Sequence, residues 1–174
     1  MKRLLFTIAI IAIVFPCTSH AQSFGVWHSG VTDTGDAFYA ATINDSGNLL
    51  GQYCYPSKGN CIWLLGMRTA CEEGAQYPVL ANSDAGSSHI NVYCSAKLDN
   101  GMYRYVFSEH DAIDKIITKG LKVGFAVPLQ SDQFRVVRFD LNGSSRAITK
   151  MLNLVEKAQN KSSLKETGTR DQDL

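Results

Sequence analysis

His89-Ile90-Asn91-Val92-Tyr93-Cys94-Ser95-Ala96-Lys97-Leu98 runs into Asp99-Asn100-Gly101 and then Met102-Tyr103-Arg104-Tyr105-Val106-Phe107. Ile90, Val92, Cys94, Ala96 and Leu98 share one face of the first segment; His89, Asn91, Tyr93, Ser95 and Lys97 share the other. Period two marks a half-buried strand, and Asn-Gly is the strongest short hairpin signal. The stretch predicts an antiparallel hairpin and a β-based fold. A two-residue Asn100-Gly101 turn sets Leu98 against Tyr103, Ala96 against Tyr105 and Cys94 against Phe107, so the three rings join the core. A three-residue loop would set them against Lys97, Ser95 and Tyr93, on the outer face, as a stacking platform. The turn chemistry favours the first arrangement.

Outward from this hairpin, further strands are expected at Gly25–Ser29, Ala37–Asn44, Leu49–Tyr55, Lys122–Leu129 and Phe134–Leu141. A Ser46-Gly47 turn would pair Ile43 with Leu50 and Tyr39 with Cys54. Cys61–Met67 is nearly all apolar and reads as a central strand; Tyr77–Leu80 contains Pro78 and reads as an edge. Asn82–Ser88 reads as a polar loop. Ser108 with Asp111 approximates a capping box before the apolar stripe Ala112, Ile113, Ile116 and Ile117, which Gly120 can end. A last helix follows from about Arg146 to Gln159, with Ser144 or Ser145 as N-cap and Ile148, Met151, Leu152 and Val155 on one face. The expected fold is mainly β (α+β). It is a single β-sandwich or curved antiparallel sheet with a short helix, a C-terminal helix and two disulfides.

The start of the chain has export chemistry. Met1-Lys2-Arg3 is basic, Leu4–Phe15 is apolar apart from Thr7, and Ser19-His20-Ala21 fits a small-residue cleavage site. Residues 1–21 therefore read as a signal peptide, 22–160 as the β-rich domain and 161–174 as a loose polar tail. The 174 residues carry 17 basic and 16 acidic groups; losing Lys2 and Arg3 with the leader leaves a net charge of −1. That balance does not attract nucleic acid. No apolar run reaches the ~18–20 residues of a membrane span, so no stable span is expected after cleavage.

Behind the leader remain Cys54, Cys61, Cys71 and Cys94, an even set that reads as two disulfides. The turn formers of Tyr55–Asn60 favour Cys54–Cys61 with Cys71–Cys94; Cys54–Cys94 with Cys61–Cys71 is the competing set. No Cys-x₂₋₄-Cys pair suggests zinc, and no Cys-x-x-Cys suggests redox catalysis. Ser108-Glu109-His110-Asp111 holds the residue types of a hydrolytic triad, but neighbours in sequence do not face one another on a helix. His28, His89 and His110 lack metal-site spacing. Glu72-Glu73 and the Asp111/Asp114 pair lack a framework at glycosidase separation. Gly47, Gly51, Gly59 and Gly66 form no phosphate loop. Arg135, Arg138 and Arg146 suggest a modest basic patch. No catalytic residue, cofactor or metal site is assigned.

Trp27 just after the leader, the paired mid-chain cysteines and the closing segment Phe139-Asp140-Leu141-Asn142-Gly143-Ser144-Ser145-Arg146-Ala147-Ile148 resemble the invasion-associated locus B family of small secreted bacterial proteins. The order of elements is similar over about two-thirds of the chain, and the closing segment is the local match. The family's Cys-x-Met-x-Gln stretch is replaced by Cys61-Ile62-Trp63-Leu64, and its Pro-x-Gly strand has no counterpart. The resemblance implies a β-rich envelope protein and transfers no site.

The expectation is thus a non-enzymatic, periplasmic or secreted bacterial protein. It would bind another envelope or secreted protein, as an immunity, inhibitor or host-interaction factor. The candidate binding loops are Tyr55–Asn60, with Tyr55 and Lys58; Glu72–Gln76, with Glu72 and Glu73; and Ser83–Ser88, with Asp84. The alternatives are a cell-wall hydrolase, in which Ser108 or His110 meets acids from another segment, and a glycan or small-ligand module using Tyr53, Tyr55 and Tyr93.

Overall fold

The computed structural model describes residues 21–128 and 133–167. The expected leader, apart from Ala21, and residues 168–174 of the expected tail lie outside the described residues. The chain runs β1 (Gln22–Phe24), β2 (Trp27–Val31), β3 (Phe38–Ile43), β4 (Leu49–Tyr55), β5 (Asn60–Met67), β6 (Gln76–Ser83), β7 (Gly86–Lys97), β8 (Tyr103–Phe107), α1 (His110–Lys119), β9 (Lys122–Pro128), β10 (Phe134–Asp140) and α2 (Ser144–Thr167). All the strands join one antiparallel sheet in the order β1-β2-β3-β4-β5-β8-β7-β6-β9-β10.

Alternation along these strands separates two faces. The inner face carries Trp27, Ala40, Leu50, Trp63, Leu65, Met67, Val79, Ile90, Val92, Tyr105, Phe107, Phe125 and Phe139, all buried. Trp27 and Trp63 meet edge to face at 6.3 Å, and Phe107, Phe125 and Phe139 form an aromatic chain. The α1 stripe Ile113, Ile116 and Ile117 is buried over β5, β7 and β9, while α2 packs on β1–β4 and on α1. Curvature brings the two ends of the sheet together. Trp27 Nε1 donates to Asp140 O at 3.1 Å, Val26 N to Asn142 O at 3.2 Å and Asn44 Nδ2 to Arg138 O at 3.0 Å. Gly143, at φ 96°, passes where a Cβ would lie 1.7 Å from Phe24 O, so no other residue fits there. The segment behind the family resemblance is thus the seam of the sheet.

Both disulfides form the favoured set, Cys54–Cys61 and Cys71–Cys94. Cys54 and Cys61 are direct partners across β4 and β5, with Cα atoms 3.9 Å apart. The mostly β fold and the central position of β5 match expectation.

Several local expectations are corrected. Gly25–Ser29 is not one strand but spans a turn, because Phe24 pairs with Trp27 around Gly25 and Val26. β6 is interior rather than an edge. β9 pairs with it only from Leu80 to Ser83, so Pro78 sits where no β9 acceptor awaits an N–H. Asn82–Ser88 is a hairpin, not a loop: Ser83 pairs with Gly86, and Ser87 Oγ donates to Asn82 Oδ1 at 3.0 Å. The β3–β4 register slips by one residue. Asn44 Oδ1 accepts from Ser46 N and Asn48 N, building a longer loop that sets Tyr39 against Tyr53.

The β7–β8 hairpin adopts the loop its Asn-Gly signal disfavoured. Leu98 N donates to Met102 O, Gly101 N to Leu98 O, and Gly101 has φ 78°. This is a three-residue loop closed by a left-handed glycine. It sets Tyr103 against Lys97, but a bulge between Cys94 and Ala96 restores the phase, so Tyr105 meets Cys94 in the core.

The helix ends also differ. Glu109, not Ser108, is the N-cap of α1, and its carboxylate binds Asn91 N at 2.7 Å and Asn91 Nδ2 at 2.9 Å instead of a helical N–H. Ser144 and Ser145 lie inside α2. Their hydroxyls donate to Ile117 O and Thr118 O at 2.8 Å, satisfying the C-terminal carbonyls of α1. Residues 161–167, expected as tail, continue α2.

Candidate functional site

Strand direction decides whether the expected binding loops can act together. β5 and β7 run the same way, so Tyr55–Asn60 and the Asp84-Ala85 turn lie at one end of the sheet. The Glu72–Gln76 loop, leaving the C-terminal end of β5, lies at the opposite end. The three loops do not form one surface.

Within them, side chains already have partners. Lys58 Nζ stands 5.3 Å from the centre of the Tyr55 ring. Glu72 and Glu73 are exposed, and the backbone beneath them is held by Cys71–Cys94, by Gly74 N to Cys94 O and by Glu72 N to Tyr77 Oη. Asp84 Oδ1 accepts from Leu121 N at 2.8 Å and Lys122 N at 3.1 Å. Those two N–H groups hold its carboxyl below the usual carboxylate range.

The hydrolytic alternative requires an acid from another segment beside His110. His110 Nε2 instead meets Gln52 Nε2 at 3.0 Å, and its Nδ1 lies 3.6 Å from the neighbouring Asp111. The glycan alternative requires Tyr53, Tyr55 and Tyr93 together. Tyr53 stacks on Tyr39 at 5.8 Å, whereas β5 and β8 separate β4 from the Tyr93 strand. Burial, followed by the charges of Tyr39 and Tyr55, pushes the Tyr53 phenol up to about 12. The three arginines also fall apart: Arg135 and Arg138 lie on opposite faces of β10, and Arg146 lies with Lys150 in a groove of about 400 Å³ between β1 and α2. All four described cysteines are bound in disulfides, so no thiolate is free for zinc.

Sequence reasoning missed the outer face at the β6–β9–β10 end. Leu80, Val136, Phe134 and Leu121 are exposed by 41, 46, 68 and 72 %. Cross-strand register aligns three of them: Leu80 pairs with Ala126, Ala126 with Val136, and Pro128 with Phe134. Gly124 and Ala126 are small, so a depression of about 960 Å³ opens over β9, lined by Leu80, Leu121, Lys122, Val136 and Arg138 among others. These exposed apolar residues lie in register as one patch rather than as scattered surface hydrophobics. The signal was present in the alternation Phe134, Val136, Arg138, but the solvent-facing side of β10 depends on the sheet's curvature.

No family model matches the chain, and no curated protein does. Its fold is similar to that in the crystal structure of invasion associated protein b from Bartonella henselae. The TM-score is 0.57 and the sequence identity 14 %, covering 79 % of this chain and 99 % of that one. The likeness is one of fold.

Proposed function

We propose that the chain is an exported, non-enzymatic bacterial protein that binds another envelope or secreted protein through the outer face of β6, β9 and β10. The apolar strip of Leu80, Val136 and Phe134 carries this reading, because a rigid sheet gains nothing for its own stability by exposing it. Two disulfides suit an oxidising compartment, and among the described residues no helix is long and apolar enough to cross a membrane. The leader expected from the sequence and the fold-level likeness to an invasion-associated protein agree with export.

The test is affinity capture from bacterial envelope extract with the oxidised chain and with a Leu80→Ser/Phe134→Ser/Val136→Ser variant. A partner retained by the native face and depleted about tenfold or more by the variant is expected. Equal capture by both, or none above background by either, counts against the reading.

A further inference from the structure

We propose that the open edge of β10 takes up an extended acidic segment of the bound protein as an added strand, lying beside Phe134 and Val136. This rests on the protein-binding reading above and specifies its chemistry.

In a strand, the N–H and C=O of one residue point to the same side, and alternate residues point to opposite sides. The carbonyls of Arg138 and Asp140 turn away from β9, toward Asn44 Nδ2 and Trp27 Nε1. Phe134 and Val136 are in phase with them, so their backbone groups also turn outward. At Arg138 and Asp140 the seam covers this edge. At Phe134 and Val136 no described residue takes those groups, since β10 pairs only with β9. The same residues present exposed side chains on the outer face. Strand addition uses this pairing of features: backbone groups supply affinity and alternate side chains supply specificity.

Charge selects the occupant. Arg138 and Lys122 continue the strip on the outer face, Arg135 projects from the other face of β10 between Phe134 and Val136, and among the described residues none of the three has a carboxylate within ion-pair distance. The neighbouring carboxylates are engaged by backbone: Asp84 by Leu121 and Lys122, Asp140 by Asn142 N at 2.7 Å. A second copy pairing β10 with β10 would bring Arg135 and Arg138 of both chains together, a like-charge cost. An incoming strand with acidic residues between its apolar ones is favoured instead.

A phage-displayed random library of ~12-residue peptides, selected against the oxidised chain, tests this. Enriched peptides should alternate apolar and acidic residues and bind less tightly as salt rises. Val136→Pro removes an outward N–H and leaves the β9 ladder alone; it should weaken those peptides about tenfold. Arg138→Glu should turn the selection toward basic peptides. Should Val136→Pro not fold, amide exchange in the native chain decides: slowing at Val136 on peptide addition supports the proposal, and no slowing overturns it. Absence of enrichment, equal binding to folded Val136→Pro, or no acidic preference also overturns it. If the triple serine variant still loses its envelope partner in that case, the binding face stands and strand addition falls.

Discussion

The two ends of the sheet use the same alternating strands but cover their outer faces to different extents. At the β3–β5 end, the outer face is covered along Tyr39, Ala41 and their partners and opens at Ile43, which is 65 % exposed at the end of β3. Tyr39 stacks on Tyr53, Gly51 lies so near Ala41 that a Cβ there would be 2.6 Å from it, and Leu64 is only 6 % exposed. At the β6–β9–β10 end, Leu80, Val136 and Phe134 stand open over small partners. Inner faces at both ends are filled alike, by the tryptophan pair at one and the phenylalanine chain at the other. A shared core with unequal outer faces is what the proposed binding role of the open end requires.

The largest effect tests whether the core is shared. Trp63→Ala and Phe125→Ala are each expected to cost about 3–5 kcal/mol in urea unfolding. If only one does, the ends are separate packing units. The disulfides come next. Cys71–Cys94 spans 23 residues against 7 for Cys54–Cys61, so its removal should cost about 3 kcal/mol and removal of the shorter bridge about 2. Thermal unfolding of the two double-alanine variants measures the order. The outer faces themselves are compared by Leu64→Ser, expected to cost about 2 kcal/mol, and Leu80→Ser, expected to stay within about 0.5. Equal costs would erase the distinction between the ends.

The smallest effect is alkaline. Burial is the first cause that raises the phenols of both Tyr53 and Tyr105 from 10.0 to about 12. A raised phenol pKa favours the neutral form in the folded state. Its stabilisation is therefore whole below pH 10.0 and lost as pH rises toward 12. Ultraviolet titration should show two tyrosines ionising late, and Tyr53→Phe should remove one of them without disturbing the open end.

Much of the fold was legible. Alternation in His89–Leu98 located β7 and its buried face, the apolar run from Cys61 located β5, and turn formers between Cys54 and Cys61 indicated their bond. The open outer face was not legible, because alternation says that Phe134 and Val136 share a side but not that the side faces solvent. Asp84 was visible as a loop carboxylate, yet its engagement by Leu121 and Lys122 requires segments 37 and 38 residues apart to meet.

By itself, the sequence determined most of the strands, the stripe of α1 and an even set of cysteines, since these follow from neighbours in the chain, and it favoured the disulfide pairing that forms. Tertiary structure decided that Pro78 lies inside the sheet, that a bulge rephases Tyr105 and that Gly143 closes the seam on Phe24. Those outcomes depend on which distant backbone groups compete for the same hydrogen bonds and space, and local periodicity contains no term for that competition.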